Sequence, residues 1–274
     1  MRKYLFGIGL SILLVFSMST SVFADGKGYG KAVEVNVMSY NIYHGVGLDG
    51  TLSLERIADV MRDAEAEIIG IQEVDRFYGE RSDFQDQAKE LAELLNYHYV
   101  YGANLDLEPG EGQKNNRQYG TAILSKYPII DSENIFLSSF GKEQRGLLRA
   151  KVNVRGIHVN VYNTHLGLDV PSRMAQVEEV IDVTSSFSGP RILTGDLNAE
   201  PDSEEFQFLL DGGNFVDSFA GEENANTFPV IDPTKRIDYI LHSPSIELSN
   251  QRVIYSEASD HLPIVTEMKI KRVR

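Results

Sequence analysis

RILTGDLNAEPDS, residues 191–203, packs three structural signals into a short span. Arg191–Thr194 is a brief apolar run of the buried-strand type, Asp196 and Asn198 follow it, and Ser203 stands where a helix would be capped, with a short helix expected near Ser203–Leu210. A strand that stops in a carboxylate and an amide sets polar groups on the rim of a rigid scaffold. The same event recurs on both sides of this stretch. Asn41 follows VEVNVMSY, Glu73 follows IIGIQ, and His165 follows VNVYNT. Asp238 lies inside RIDYIL, and Asp260-His261 precedes LPIV. Taken singly each has a bland explanation, since Asp and Asn after a strand are ordinary turn formers. As a set they predict one site built from many strand ends.

Strands are expected at Val33–Tyr40, Ile68–Gln72, Tyr119–Ser125, Leu147–Val154, Ile157–Thr164, Arg236–Leu241 and Pro263–Lys269, besides the 191–194 run. Helical spacing covers Ser53 to about Ala66, Asp83–Leu95 and Ser172–Ser185. Residues 102–118 and 211–234 read as loops too long to be mere connections. Strands and helices mixed in this way suggest sheets packed together and covered by helices.

Arg2 and Lys3 precede an apolar stretch from Leu5 to Met18, and Val22-Phe23-Ala24 resembles a small-residue cleavage site. Residues 1–24 are therefore expected to be a cleaved signal peptide, because 14 residues are too few to span a bilayer that requires about 20. The mature chain is expected to be secreted, extracellular or in the periplasmic or cell-wall space, without stable membrane insertion. Residues 25–32, rich in glycine and lysine, read as a flexible lead-in to a single domain at 33–274, expected to be a monomer. The remaining 250 residues suffice for one large core. Cysteine is absent, which excludes disulfides, thiol catalysis and zinc-thiolate sites. Without the leader, 24 basic residues face 40 acidic ones, a net charge of about −16. Such a surface repels polyanions unless cations intervene.

Phosphodiester hydrolysis needs a hard cation with oxygen ligands, and Mg²⁺ typically takes one or two carboxylates and keeps several waters. Glu73 and Asn41 suit that sparse shell. It also needs a group that orients or deprotonates water. Asp196 suits this, as does a histidine paired with a carboxylate, for which Asp238 and His261 are candidates. A phosphate calls for further cations, and the planar guanidinium offers paired donors. Arg81, Arg117 and Arg145 stand in otherwise acidic loops, with Tyr119 beside Arg117.

SYNIYHG (39–45), IQEVD (71–75), NTHLG (163–167), GDLNAEPDS (195–203), RIDYIL (236–241) and SDHLPI (259–264) resemble, in order, the motif set of the endonuclease/exonuclease/phosphatase superfamily. That resemblance implies an α/β (α+β) fold, a deoxyribonuclease I-like four-layer sandwich of two packed mixed β-sheets flanked by helices. It implies a metal-dependent phosphoester hydrolase of phosphodiesterase or nuclease type, with Mg²⁺ or Mn²⁺, or Ca²⁺, as cofactor. Glu73 would be the principal metal ligand with Asn41 and Asp260 near it. Asp196 and Asn198 would position nucleophile and phosphate, Asp238 would orient His261, and Arg145, then Arg117 and Tyr119, would hold the substrate phosphate. His165 resembles the histidine of the deoxyribonuclease and sphingomyelinase branches, and Arg117 stands roughly where the former has a glutamate supporting it. The substrate would be a nucleic acid, a lipid headgroup, as for a sphingomyelinase, or a small phosphate. The long aromatic hairpin of bacterial sphingomyelinases is missing.

Two other readings compete. Gly45, Gly47 and Gly50 fit a dinucleotide fingerprint, yet four residues separate them from the strand and Ser53 is the expected helix cap, so they lie in a loop. A secreted module binding structural Ca²⁺ would leave His165 and His261 unexplained. Neither H-E-x-x-H nor G-x-S-x-G occurs, so zinc peptidase and serine hydrolase readings lack a starting point.

Overall fold

The computed structural model describes residues 30–272, so the expected signal peptide and most of the lead-in lie outside the described residues. The chain runs β1 (Gly30–Asn41), α1 (Leu54–Asp63), β2 (Ile68–Arg76), α2 (Gln87–Leu95), β3 (His98–Leu107), β4 (Arg117–Ser125), β5 (Ile129–Leu137) and β6 (Arg145–Val154). It continues through β7 (Ile157–His165), α3 (Val170–Ser185), β8 (Arg191–Asp196), α4 (Glu204–Gly213), β9 (Val216–Asp217), β10 (Asp238–His242), β11 (Ile246–Val253) and β12 (Ile264–Arg272).

Alternation along each strand builds the layers. In β1, Val35 and Val37 face one way and Met38 and Tyr40 the other, all fully buried. The first pair meets Ile123, Val152, Val161, Ile192 and Met268 in a core between two six-stranded sheets. The second pair meets Leu54, Ile57 and Met61 of α1 and Leu91 of α2. On the opposite outer face, Tyr162, Leu193 and Tyr239 pack on Val177 and Val180 of α3 and Phe206 and Leu209 of α4. Each such side chain contributes roughly 1.5–3 kcal/mol on burial. The result is the expected four-layer sandwich of helices, sheet, sheet and helices.

The sheets run β11-β12-β1-β2-β4-β3 and β5-β6-β7-β8-β10-β9. Each is mixed because only β1–β2 and β7–β8 pair in parallel. The helices begin at side-chain caps: Ser53, Asp86, Asp169 and Ser203 each accept from a backbone N–H three residues on.

Several boundaries differ from the sequence expectation. α2 starts at Gln87 rather than Asp83, because Asp83 and Phe84 take left-handed φ of 48° and 53°. α3 starts two residues early, with Pro171 in its first turn. β1 begins at Gly30 rather than Val33. Residues 102–107, expected in a loop, complete β3. β3, β5, β9 and β11 are not among the expected strands, and β9 lies in the 211–234 segment expected as a loop; all four are sheet edges that bury few of their side chains. Among the described residues, no helix is long and apolar enough to cross a membrane.

Candidate active site

The inward-facing side chains change character along the strands. β1 offers Val35 and Val37, then Ser39 and Asn41; β7 offers Val159 and Val161, then Asn163 and His165; β8 offers Ile192, then Thr194 and Asp196. At this end the core between the sheets turns polar. The last layer joins His165 to Asp196 and Asp196 to Asp238 as direct register neighbours.

Glu73 reaches this layer through a backbone irregularity. Gln72 faces inward, so an unbroken strand would turn Glu73 toward the helices. Between Ile71 and Val74, β2 carries one residue more than β4, and Glu73 takes a left-handed φ of 57°. This bulge re-aims the carboxylate into the site. Asn41 then joins the two sheets: its Nδ2 donates to Glu73 Oε1 and to Asp196 Oδ2, both at 3.1 Å.

Asp196 is the centre of the cluster. His165 Nε2 lies 3.5 Å and His261 Nε2 3.8 Å from its Oδ2, while its Oδ1 accepts the Asn198 backbone N–H at 3.0 Å. Asn198, at φ 49°, donates its side chain to the Leu166 carbonyl. His261 Nδ1 is 2.8 Å from Asp238 Oδ2, which also accepts the Thr227 hydroxyl at 2.6 Å. The Phe228 ring lies 4.7 Å from the His261 ring. Asp260 is half-buried at the mouth, and the neighbouring Ser259 hydroxyl donates to the Asn41 carbonyl at 2.7 Å.

Burial raises Asp196 to about 7, reinforced by the charge of Asp238 and opposed by His261. Burial works to lower His261, but the charge and hydrogen bond of Asp238 outweigh it and lift the imidazole to about 10. His165 is pushed well down by burial, then by Arg145 and His261, and is neutral. Burial also raises Glu73 and Asp260. One imidazolium and one neutral imidazole thus flank a carboxylate poised near neutrality.

These groups open into a cleft of about 770 Å³, lined among others by Glu73, Tyr119, Arg145, His165, Asp196 and His261. Arg145, at the start of β6, is 6% exposed and its partner is Glu143 at 3.1 Å. Four carboxylates, Glu73, Asp196, Asp238 and Asp260, exceed the positive charge of Arg145 and His261, and Asp238 Oδ1 is buried without a partner among the described residues. This donor set suits a hard divalent cation. Asp196, Asp238 and His261 offer atoms within 4.8 Å of one another. Asp238 Oδ2 is already committed to His261 and Thr227, whereas Glu73 accepts only from Asn41 among the described residues; Asn41 itself gives Nδ2 to Glu73 and Asp196 and accepts the Tyr43 N–H at Oδ1.

The Endonuclease/Exonuclease/phosphatase family profile matches residues 38–261, a span holding every one of these groups. The chain belongs to the endonuclease/exonuclease/phosphatase family. It is therefore a phosphoester hydrolase. YbhP of Escherichia coli K12, an uncharacterized protein, is 26% identical over 249 residues, covering 85% of this chain and 96% of YbhP. The solved endonuclease/exonuclease/phosphatase protein of Beutenbergia cavernae superposes with a TM-score of 0.73 at 25% identity, over 86% of this chain and 72% of that one. A mannosyl-6-phosphatase of Bacteroides thetaiotaomicron superposes with a TM-score of 0.66 at 22% identity, over 85% and 99%.

Within the family fold, ten of the eleven anticipated site residues gather at the cleft or directly behind it. Arg117 does not. It starts β4 one inward-facing step beyond Tyr119, about 7 Å further along the strand, and its Nε donates to the Glu108 carbonyl. Arg81 is engaged in a two-pronged pair with Asp75 at 2.7 and 2.8 Å and stacks on Tyr78, bracing Tyr119 rather than facing the reacting groups. The glycine loop at 45–50 precedes the Ser53 cap, as its spacing implied. Sequence reasoning missed Thr227 and Phe228. Their loop is too long to be a mere connection, but no spacing signal ties Thr227 to a carboxylate 11 residues on.

Proposed function

We propose that the cleft hydrolyses a compact phosphoester by attack of water, with Mg²⁺ or Mn²⁺ held by Glu73, Asn41 and Asp260. The observation that carries this reading is the convergence of Arg145, His165, Asp196 and His261 on one cleft beside surplus buried carboxylate. When bound, the cation would neutralise charge on the phosphoryl oxygens. Arg145 binds the phosphate through its fork of donors, with Tyr119 beside it. Asp196 orients the water and accepts its proton, and Asn198 fixes the Asp196 carboxylate through its own N–H. His261, kept charged and oriented by Asp238, gives its proton to the departing oxygen, while Asp196 takes the proton of the attacking water; neutral His165 stands 3.5 Å from the same Asp196 oxygen.

A compact substrate is favoured over long nucleic acid by charge. The chain carries −14, and Glu143, Glu200, Asp202 and Glu204 line the cleft that holds Arg145. Polyanions need a run of cations instead. A second reading, a lipid phosphodiester, is favoured by Leu168 and Val170, which line the same cleft while 76% and 47% exposed. The export leader read in residues 1–24 supports release from the cell; sequencing of the secreted chain from Asp25 tests it.

A panel of phosphomonoesters, dinucleotides, DNA, RNA and mixed phospholipid vesicles, assayed with Mg²⁺ and with excess chelator, tests the reading. Chelator is expected to abolish turnover, and Glu73→Gln to remove most of it in a folded protein. Full activity in chelator refutes the proposal.

A further inference from the structure

One layer beneath the site, the polar groups of the two sheets are joined at a single side chain. Asn163 is fully buried on β7, two residues before His165 on the same face, and its register partner Thr194 stands two residues before Asp196. Its Nδ2 crosses to the other sheet and donates to the carbonyls of Ile71 at 2.8 Å and Ala122 at 2.9 Å. Those residues form the last regular pair before the bulge that carries Glu73. Its Oδ1 accepts from Gln72 Nε2 at 2.7 Å and from the Thr194 hydroxyl at 3.0 Å. The Thr194 hydroxyl also stands 3.1 Å from the Tyr162 carbonyl, so its one proton is shared between two acceptors, and the other three hydrogen-bonding positions of the amide are filled.

The sheets approach closely enough for this only because residue 70 has no side chain. A Cβ there would lie 2.0 Å from the Thr194 hydroxyl and 2.7 Å from Asn163 Oδ1. A bulge disrupts its ladder locally, and the buried carbonyls beside it need a donor from elsewhere. Asn163 supplies that donor from the strand that also carries His165. Asn41 bridges the Glu73 and Asp196 carboxylates at their tips, and Asn163 fixes the backbone beneath them, so the spacing of Glu73 to His165 and Asp196 does not rest on the flexible carboxylate alone.

We propose that Asn163 is a positioning residue that locks the Glu73 bulge of one sheet to the His165–Asp196 end of the other. It touches no substrate. The inference rests on the reading of Glu73 as a metal ligand, and its effect is on how well that carboxylate is placed.

Mn²⁺ titrated calorimetrically into purified wild type and Asn163→Asp tests it, alongside thermal unfolding and steady-state kinetics. Asn163→Asp keeps the size and the acceptor but turns an oxygen toward the Ile71 and Ala122 carbonyls. Mn²⁺ affinity is expected to fall about 10- to 100-fold, the range for groups that orient metal ligands, and kcat to fall more than KM rises. A merely structural role would lower the melting temperature and leave the affinity of the folded protein unchanged. Gln72→Met, which removes one donor to Asn163 and keeps the packing, is expected to lose about tenfold in affinity and serves if Asn163→Asp does not fold. Wild-type affinity in a folded Gln72→Met or Asn163→Asp protein overturns the inference. Absence of Mn²⁺ binding by the wild type overturns instead the assignment of Glu73.

Discussion

At the residue scale, the candidate site sits where strand patterns end. Asn41, His165, Asp196 and Asp238 all continue the inward-facing alternation of their strands, so a period of two was enough to bring them together. Arg117 and Arg145 could not be told apart this way, since both open a strand. Only the structure shows Arg145 buried beside the site and Arg117 turned to the Glu108 carbonyl. Arg145→Ala is accordingly expected to reduce kcat/KM on the best panel substrate by at least tenfold. Arg145→Lys should lose nearly as much, because lysine keeps the charge but not the fork. Arg117→Ala should stay within about twofold; equal losses at both positions contradict the placement. His44 supports a different prediction. Burial, then Arg81, lowers it to about 4, and its Nδ1 is buried without a partner among the described residues. The unfolded chain takes up this proton near 6.5 and the folded one only near 4, so the stabilisation is complete above pH 6.5 and is lost as pH falls toward 4. It amounts to at most about 3 kcal/mol. Urea melts at pH 7 and 4.5 should show a smaller pH-dependent loss in His44→Asn than in wild type. An identical loss removes the assignment.

At the element scale, the central strands were readable and the edges were not. β1, β2, β7 and β8 are apolar enough to announce themselves, whereas β3, β5, β9 and β11 border their sheets and bury few side chains. The bulge in β2 leaves a trace in IQEVD, where two polar residues, Gln72 and Glu73, separate Ile71 from Val74 and break the alternation, but only the pairing with β4 shows that the break is an extra residue. The segment 226–235 shows why a loop without pattern can still matter. Its ends close on each other through Thr227 and Lys235, Thr227 holds Asp238, and the Thr227 carbonyl accepts the Leu262 N–H. It clamps the strand and the turn that carry the Asp238–His261 pair. A hydrogen bond to a charged group contributes about 1.5–3 kcal/mol. Thr227→Val is expected to lower kcat by ten- to a hundredfold, and Thr227→Ser to restore most of it. A fully active Thr227→Val enzyme shows instead that His261 is oriented without the loop.

At the scale of the whole molecule, an acidic chain without cysteine concentrates buried carboxylates where the two sheets end together. The core between the sheets and the two outer layers hold the fold by packing. The polar end adds little of its own, because Glu73, Asp196 and Asp260 are all pushed toward their protonated forms by burial. A divalent cation bound there would reverse that cost by favouring the ionised carboxylates, and since the unfolded chain offers no comparable cradle, its binding energy would be added to the folding energy. At a free concentration one hundred times its dissociation constant, the gain is about 2.7 kcal/mol. For a domain of this size that corresponds to a rise in melting temperature of roughly 5–10 °C. Thermal unfolding in increasing Mg²⁺ or Mn²⁺ should therefore shift upward with concentration, and chelator should return it to the starting value. Glu73→Gln removes a ligand charge and should melt near or above wild type in chelator, yet respond weakly to the metal. Arg117→Ala, far from the cradle, should respond like wild type. If Glu73→Gln gains as much as wild type, the cation binds elsewhere, and the grouping of Asp196, Asp238 and His261 becomes the site to test.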